Sequence, residues 1–324
     1  MKRIMAIIAA AALVAAGCGQ GKGKAPAPSA EPVREFPVIQ IPGMYTDPAE
    51  REAYAVQHYW DRFFSGAEGF LCDSSTVCGV PRDVLEGHFS TFAAIINNAS
   101  ADVGRKGMET LFSKAEAAQR ADSLSNVLSA FSDLAEHYLY DPNSPFRNED
   151  LYLPFVKGLS ESPLTDPGQA GAYAFTARTC AMNAVGTPAA DFVFKDASGR
   201  TRRLYDIKAD YTLLFFSNPG CEACRSIIDE LTGRPSIDIL LSSGALAVLN
   251  VYIDGDLDAW REYQGSYPGE WYNGYDPTFT IRQDLLYHVR AIPSLYLLDA
   301  GKRVILKDAP EERVFAFLGS MLGE

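Results

Sequence analysis

The spacing of apolar residues along the chain changes near residue 185. Before that point, apolar residues recur at steps of three and four, which is the spacing of a helix with one buried face. Asp47 followed by Pro48 is expected to cap the first helix, and the turn from Asp141 to Pro145 is expected to end a long helical segment that starts near Met108. The apolar stripes are Ala53, Val56, Trp60 and Phe63; Leu85, Phe89, Phe92 and Ile96; and Leu124, Leu128, Phe131, Leu134 and Tyr138. With two shorter helices near 148–159 and 167–182, the pattern predicts an all-α helical domain over residues 47–184.

Past Gly186, short apolar runs have the pattern of β-strands. Strands are expected at 191–194, 201–204, 212–216, 245–253, 294–299 and 302–307. Helices are expected after Cys224, before Leu241, at 257–263 and at 311–322. A hairpin, a βαβ unit, a helix and a final ββα unit follow one another, which is the order of an α/β thioredoxin-like fold with an added N-terminal hairpin. This second domain is predicted over residues 185–324.

The motif Cys221-Glu222-Ala223-Cys224 stands where the strand at 212–216 gives way to a helix. In one helical turn the two sulfur atoms face the same side and are near enough to form a disulfide. Unpaired backbone N–H groups and the positive end of the helix dipole favour a thiolate at the first cysteine. We therefore predict that Cys221 attacks a substrate disulfide and that Cys224 resolves the mixed disulfide.

The N-terminus carries the features of an export signal. Basic residues precede an apolar run at 4–16 that is too short to span a bilayer. The run ends in Ala-Ala-Gly-Cys, which resembles a bacterial lipoprotein signal, so residues 1–18 are interpreted as a signal peptide whose Cys18 receives the lipid. An ordinary secretory signal with an incidental cysteine is the alternative. The segment 19–46, rich in glycine and proline at its start, is predicted to be a flexible tether.

Charge and histidine content argue against two classes of function. The net charge of the 324-residue chain is −12, so the concentrated basic face that nucleic acid requires is not expected. The four histidines occur singly, whereas a zinc site needs several ligands at paired spacing, and neither a metal nor another cofactor is predicted. The histidines are His58, His88, His137 and His288.

The second domain resembles the TlpA-type thiol–disulfide oxidoreductases of bacterial envelopes. The resemblance spans about residues 185–322. Its matching segments are Pro188 to Phe192, Gly199, Leu204 to Ile207, Phe215 to Cys224 and Tyr287 to Leu295. The resemblance implies that the Ile292–Pro293 bond is cis and faces the cysteines, and that the backbone of Ile292 pairs with a bound substrate chain. Without such cysteines, an Ile-Pro pair at a strand entrance is more often a trans edge residue.

The motif departs from the family pattern in three ways. Gly220 replaces the usual tryptophan and Ala223 the usual proline, while residues 212–216 and Ile227 offer no acid where relatives bury one. Such an acid takes the proton from the resolving cysteine. Other acids that could serve are Asp210, Glu222 and Glu230. Because the charge of Glu222 disfavours a thiolate, and a less stabilised thiolate makes the dithiol a better reductant, we expect reduction of partner disulfides.

The helical half, through His58 to Phe63 and Tyr138 to Pro145, is similar to an uncharacterised helical domain that precedes such modules in envelope lipoproteins. That likeness implies no chemistry of its own.

The remaining cysteines are predicted to be structural. Cys72 and Cys78 flank a loop between two helices and are expected to form a disulfide that pins it, with a second redox pair as the alternative. Cys180 lies in an alanine-rich helix and is expected to be a small buried apolar residue. The aromatic run 271–275 is placed in a loop, where it either edges a substrate groove or packs beneath the loop.

These features predict an exported thiol–disulfide oxidoreductase of the periplasm or cell envelope, held on a membrane by an N-terminal lipid. Its expected partners are protein or peptide disulfides and an envelope electron donor that restores the dithiol. The alternative is a non-catalytic binding lipoprotein, in which the helical domain recognises a partner and Cys221–Cys224 is a structural disulfide.

Overall fold

Helices that pack around a core rich in aromatic rings form the N-terminal half of the protein. The computed structural model describes residues 33–70 and 73–323. The helices of this half are α1 (Pro48–His58), α2 (Asp61–Ser65), α3 (Arg82–Asn98), α4 (Ala101–Ala121), α5 (Val127–Ala135), α6 (Glu149–Glu161) and α7 (Pro167–Cys180). Asp47 caps α1 by accepting hydrogen bonds from the backbone N–H groups of Ala49 and Glu50, as its place before Pro48 predicts.

The long helical segment predicted between Met108 and Tyr138 is broken between α4 and α5, and α5 continues into a π-helical turn, Glu136–Tyr140. Between α4 and α5, the Asp122 carboxylate accepts a hydrogen bond from the Leu124 backbone N–H, and the Gln119 side-chain oxygen accepts one from Leu128. Such local bonds offer the backbone an alternative to continuing the helix. Leu124 is consequently 90% exposed, so its predicted place in the buried stripe is wrong.

Trp60 lies within the aromatic core of the helical half. Its ring meets those of Phe92 and Phe131 edge to face, with centroids 5.5 and 5.0 Å away. Phe36 also packs edge-on against Trp60, at 5.6 Å, although the sequence places Phe36 in the flexible tether. The packed part of the chain therefore includes residues that precede the predicted helical domain.

A short antiparallel hairpin lies between α2 and α3 and is not indicated by the helical pattern. Its strands are β1 (Thr76–Val77) and β2 (Val80–Pro81). The Asp73 carboxylate accepts hydrogen bonds from the backbone N–H groups of Ser75 and Thr76, which is typical of an Asx turn.

The C-terminal half is built on a mixed, seven-stranded sheet. Its strands are β3 (Val193–Asp196), β4 (Thr201–Arg203), β5 (Tyr211–Phe216), β6 (Leu246–Tyr252), β7 (Tyr272–Tyr275), β8 (Ser294–Asp299) and β9 (Val304–Leu306). The spatial order is β4-β3-β7-β6-β5-β8-β9. β5, β6 and β7 run parallel to one another, and β8 is antiparallel to β5. The predicted thioredoxin-like fold preceded by a helical region is confirmed.

The sequence predicts a loop where the structure has strand β7. Asn273-Gly274 within it is a typical turn sequence, but here it joins β6 to the β3–β4 hairpin. A Cβ atom at Gly274 would lie 2.6 Å from the Phe194 ring, so the glycine allows β3 to pack closely. Trp271, just before the strand, is buried, which favours the packing alternative for this aromatic run.

Side chains of β5 alternate between two apolar layers. Leu213 and Phe215 pack with one core cluster, and Leu214 and Phe216 with the other. The remaining helices are α8 (Glu222–Gly233), α9 (Pro235–Ser242), α10 (Leu257–Tyr263), α11 (Thr280–Gln283) and α12 (Glu311–Ser320). The first cluster contains the buried faces of α8, α9 and α12, so the helix that carries the cysteines is fixed on the central strands.

Candidate active site

Cys221 and Cys224 lie at the start of α8, immediately beyond the loop that follows β5. The two cysteines form a disulfide. Cys221 is the N-cap residue of the helix, and its sulfur accepts a hydrogen bond of 3.1 Å from the backbone N–H of Cys224. Cys221 is half-buried, whereas Cys224 is only 2% exposed. A partner can therefore reach the first sulfur, while the second is suited to attack from within.

The surroundings of Cys221 are open and carry opposing charges. Glu222 and Arg225 are both exposed in the first turn of α8. Gly220 has a φ of +73°, which a residue with a side chain rarely adopts. Apart from its two neighbours in the chain, no residue has an atom within 4 Å of the position that a Cβ would take. The absence of the usual tryptophan thus leaves free space next to the first cysteine.

The Ile292–Pro293 peptide bond is cis, as the family resemblance implies. Ser294, the next residue, pairs with Phe216 at the end of β5. This pairing brings Pro293 to the end of the sheet at which β5 leads to the cysteines. Ile292 and Cys221 are both partly buried against the same core cluster, and the register of β5 with β8 places the proline loop and the disulfide at the same end of the sheet.

Polar side chains for which the sequence predicts no role hold the loop before Cys221. Ser217 donates a hydrogen bond to the side-chain oxygen of Asn250 in β6. Asn218 donates one of 2.7 Å to the Asp254 carboxylate, which in turn lies 3.0 Å from Arg282. Asn250 is the one polar residue in the otherwise apolar run of β6, and that was the available signal.

The structure does not bring a buried acid to Cys224 from the three positions that the sequence suggested. Asp210, Glu222 and Glu230 are all exposed. Ile227, one turn beyond the motif, is buried. Thr212 in β5 accepts a hydrogen bond of 3.0 Å from Lys302, whose pKa is lowered by burial. That pair lies toward the start of β5, away from the motif.

The remaining cysteines have separate surroundings. Cys18 and Cys72 lie outside the described residues, so the predicted lipid attachment and the predicted Cys72–Cys78 disulfide stay predictions. Cys78 is buried in the turn of the β1–β2 hairpin. Cys180 is 1% exposed and has no disulfide partner within the described chain, and burial raises its pKa to about 12. A thiol with such a pKa is poorly reactive near neutral pH.

A comparison with solved structures finds a relative that matches most of the chain. A thioredoxin-like protein from Bacteroides caccae is 33% identical and superposes with a TM-score of 0.76, covering 90% of this chain and 100% of its own. The chain belongs to the thioredoxin-like proteins.

Two shorter structures match parts of this thioredoxin-like protein. The C-terminal domain of an uncharacterised Bacteroides fragilis protein is 43% identical, with a TM-score of 0.41, and covers 42% of this chain and 98% of its own. A domain of a possible thiol-disulfide isomerase from Cytophaga hutchinsonii is 26% identical, with a TM-score of 0.38, and covers 44% of this chain and 95% of its own. The domain of unknown function DUF5106 matches residues 17–177. Among curated proteins none matches.

Proposed function

We propose that this thioredoxin-like protein is a thiol–disulfide oxidoreductase of the TlpA type that reduces disulfides in protein or peptide partners. One observation carries the proposal: an accessible sulfur at a helix N-terminus has a buried partner thiol and a cis-proline loop in the same region. A merely structural disulfide does not require an accessible first cysteine or a substrate-facing loop.

The reaction balances as two exchanges. The Cys221 thiolate attacks one sulfur of the partner disulfide, which forms a mixed disulfide and releases the other partner sulfur as a thiolate. Cys224, after losing its proton, attacks Cys221 and releases the second partner sulfur. The partner gains two electrons, and the Cys221–Cys224 disulfide formed is then reduced by an envelope dithiol.

The exposed positions of Glu222 and Arg225 bear on the direction of exchange. The carboxylate next to Cys221 opposes a thiolate there, and Arg225 together with the helix N-terminus favours one. A site without a strongly stabilised thiolate releases its electrons more readily, which supports reduction rather than oxidation of partners.

The proposed location is the periplasm or cell envelope, with the protein attached to a membrane through a lipid on Cys18. The support for this location is the N-terminal sequence. Within residues 33–70 and 73–323 no helix is long and apolar enough to cross a bilayer.

Insulin reduction tests the proposed activity. The protein, supplied with a dithiol reductant, is expected to accelerate the reduction of insulin, whereas the Cys221→Ser variant is expected to show only the background rate. The Cys224→Ala variant retains the attacking thiol but cannot resolve, so it should accumulate mixed disulfides that reducing agent releases. Equal background rates for the parent protein and Cys221→Ser would exclude the proposed function and favour a non-catalytic binding lipoprotein.

A further inference from the structure

A buried cluster of four charged side chains joins the helical half to the thioredoxin-like half. Glu149, in the first turn of α6, lies 2.8 Å from Arg290 through Oε1 and Nε. Arg290 also lies 3.0 Å from Asp308, and Lys307 lies 2.7 Å from Glu149 as an ion pair without the alignment of a hydrogen bond. Each of these side chains is at most 9% exposed. Two positive and two negative charges thus balance one another away from water.

The cluster is connected to both ends of the cis-proline loop. Arg290 lies three positions before Pro293 in the chain. At the other end, the Ser294 hydroxyl donates a hydrogen bond of 2.7 Å to the Asp308 carboxylate, and Ser294 is completely buried. The segment 290–294, which contains the Ile292 backbone, is therefore held between two members of the cluster.

The helical half holds the same cluster through several contacts. The Arg290 guanidinium stacks over the Tyr140 ring at 4.0 Å and donates a hydrogen bond to the Tyr140 carbonyl oxygen. Lys307 donates to the carbonyl oxygens of Cys180 and Met182, at 2.8 and 2.6 Å, where α7 ends. Because a buried charge is costly without its partner, the place of Arg290 depends on Glu149.

We propose that Glu149 is a positioning residue for the substrate-facing loop and acts on it through Arg290 and Asp308. This inference rests on the proposed function, in which the Ile292 backbone pairs with the partner chain. The helical half then contributes to binding of the disulfide partner through its contacts with this loop. Loss of Glu149 weakens binding of polypeptide disulfides, whereas a small disulfide that needs no backbone pairing reacts as before.

Two measurements test the positioning role in the full chain. Hydrogen–deuterium exchange of residues 289–295 reports the order of the loop without requiring any activity. Steady-state kinetics with insulin and with a small aromatic disulfide separate KM from kcat. In Glu149→Gln we expect about tenfold faster exchange of the loop and about a tenfold higher KM for insulin, the size of one lost buried charged contact. The rate with the small disulfide stays within about twofold, since the cysteines are untouched.

Three further variants make the outcome decisive. Glu149→Asp keeps the negative charge but withdraws the carboxylate from Arg290. It tests the same residue if Glu149→Gln does not fold, and we expect a smaller change in loop exchange and in KM than for Glu149→Gln. Ser294→Ala removes only the hydrogen bond from Ser294 to Asp308 and should also speed the hydrogen–deuterium exchange of the loop. Arg313→Gln is the matched control, because Arg313 makes a 3.0 Å contact with Asn97 across the same boundary without touching the loop. It should leave loop exchange and KM unchanged.

Specific outcomes overturn the proposal. Unchanged exchange of the loop in both Glu149 variants excludes the positioning role, as does an equal change in Arg313→Gln. A parent protein that reduces neither insulin nor the small disulfide removes the proposed function instead, and the exchange comparison still decides whether Glu149 orders the loop.

Discussion

Ser294 lies opposite Phe216 in the antiparallel pairing of β5 with β8. Phe216 ends the strand that leads to Cys221, and Ser294 directly follows Pro293. The register of these two central strands therefore decides that the dithiol and the cis-proline loop lie at one end of the sheet. A one-residue slip would turn every side chain of β8 to the opposite face.

Opposite charges next to Cys221 should tune its reactivity in opposite directions. In the reduced protein, Glu222→Gln removes a negative charge that opposes the thiolate, so alkylation of Cys221 by iodoacetamide at pH 7 should be about two- to threefold faster. Arg225→Gln should slow it by a similar factor. Both residues are exposed, so 1 M salt should remove most of either difference. Changes of the same sign in the two variants would contradict this account.

Gly220 should be intolerant of a side chain because of its backbone, not its surroundings. Its φ is +73°, and apart from its chain neighbours no residue has an atom within 4 Å of the Cβ position, so Gly220→Ala introduces backbone strain without a clash. We expect a loss of about 1–2 kcal/mol in the free energy of unfolding, measured with urea. Gly87→Ala is the control, since Gly87 lies in helix α3 with equal space, and it should gain roughly 0.5–1 kcal/mol. Equal stability of Gly220→Ala and the parent would refute the strain.

Local patterns could predict the elements and the reacting pair, but not contacts that depend on tertiary structure. The apolar stripes and the Cys-x-x-Cys spacing are short-range signals, and the cis Ile292–Pro293 bond follows from a family motif. Leu124 was misplaced because side-chain hydrogen bonds in its loop compete with the helix. Glu149 and Arg290 stand 141 residues apart, and neither has a sequence feature that points to the other.

Phe36 should contribute to stability although it precedes the predicted helical domain. Its side chain is 9% exposed and packs among Trp60, Phe63 and His88. Phe36→Ala should lower the free energy of unfolding by about 3 kcal/mol, the usual cost of deleting a buried ring. The neighbouring Val38 is 68% exposed, so Val38→Ala should change stability by less than about 0.5 kcal/mol. Chemical denaturation of both variants checks this, and similar small effects would show that Phe36 does not belong to the core.

Cys180 should make the protein less stable at alkaline pH. Burial raises its pKa from the ordinary value of 9.0 to about 12, so the unfolded chain loses this proton first as the pH rises. The stabilising contribution of the protonated thiol is therefore complete below pH 9 and is lost between pH 9 and 12, with a slope of up to about 1.4 kcal/mol per pH unit. Cys180→Ala removes the contribution of the thiol and keeps the titration of the buried tyrosines, so its free energy of unfolding should fall less steeply with pH over this range. Parallel pH profiles for the two proteins, measured by urea unfolding, would show that the Cys180 thiol titrates normally in the folded state.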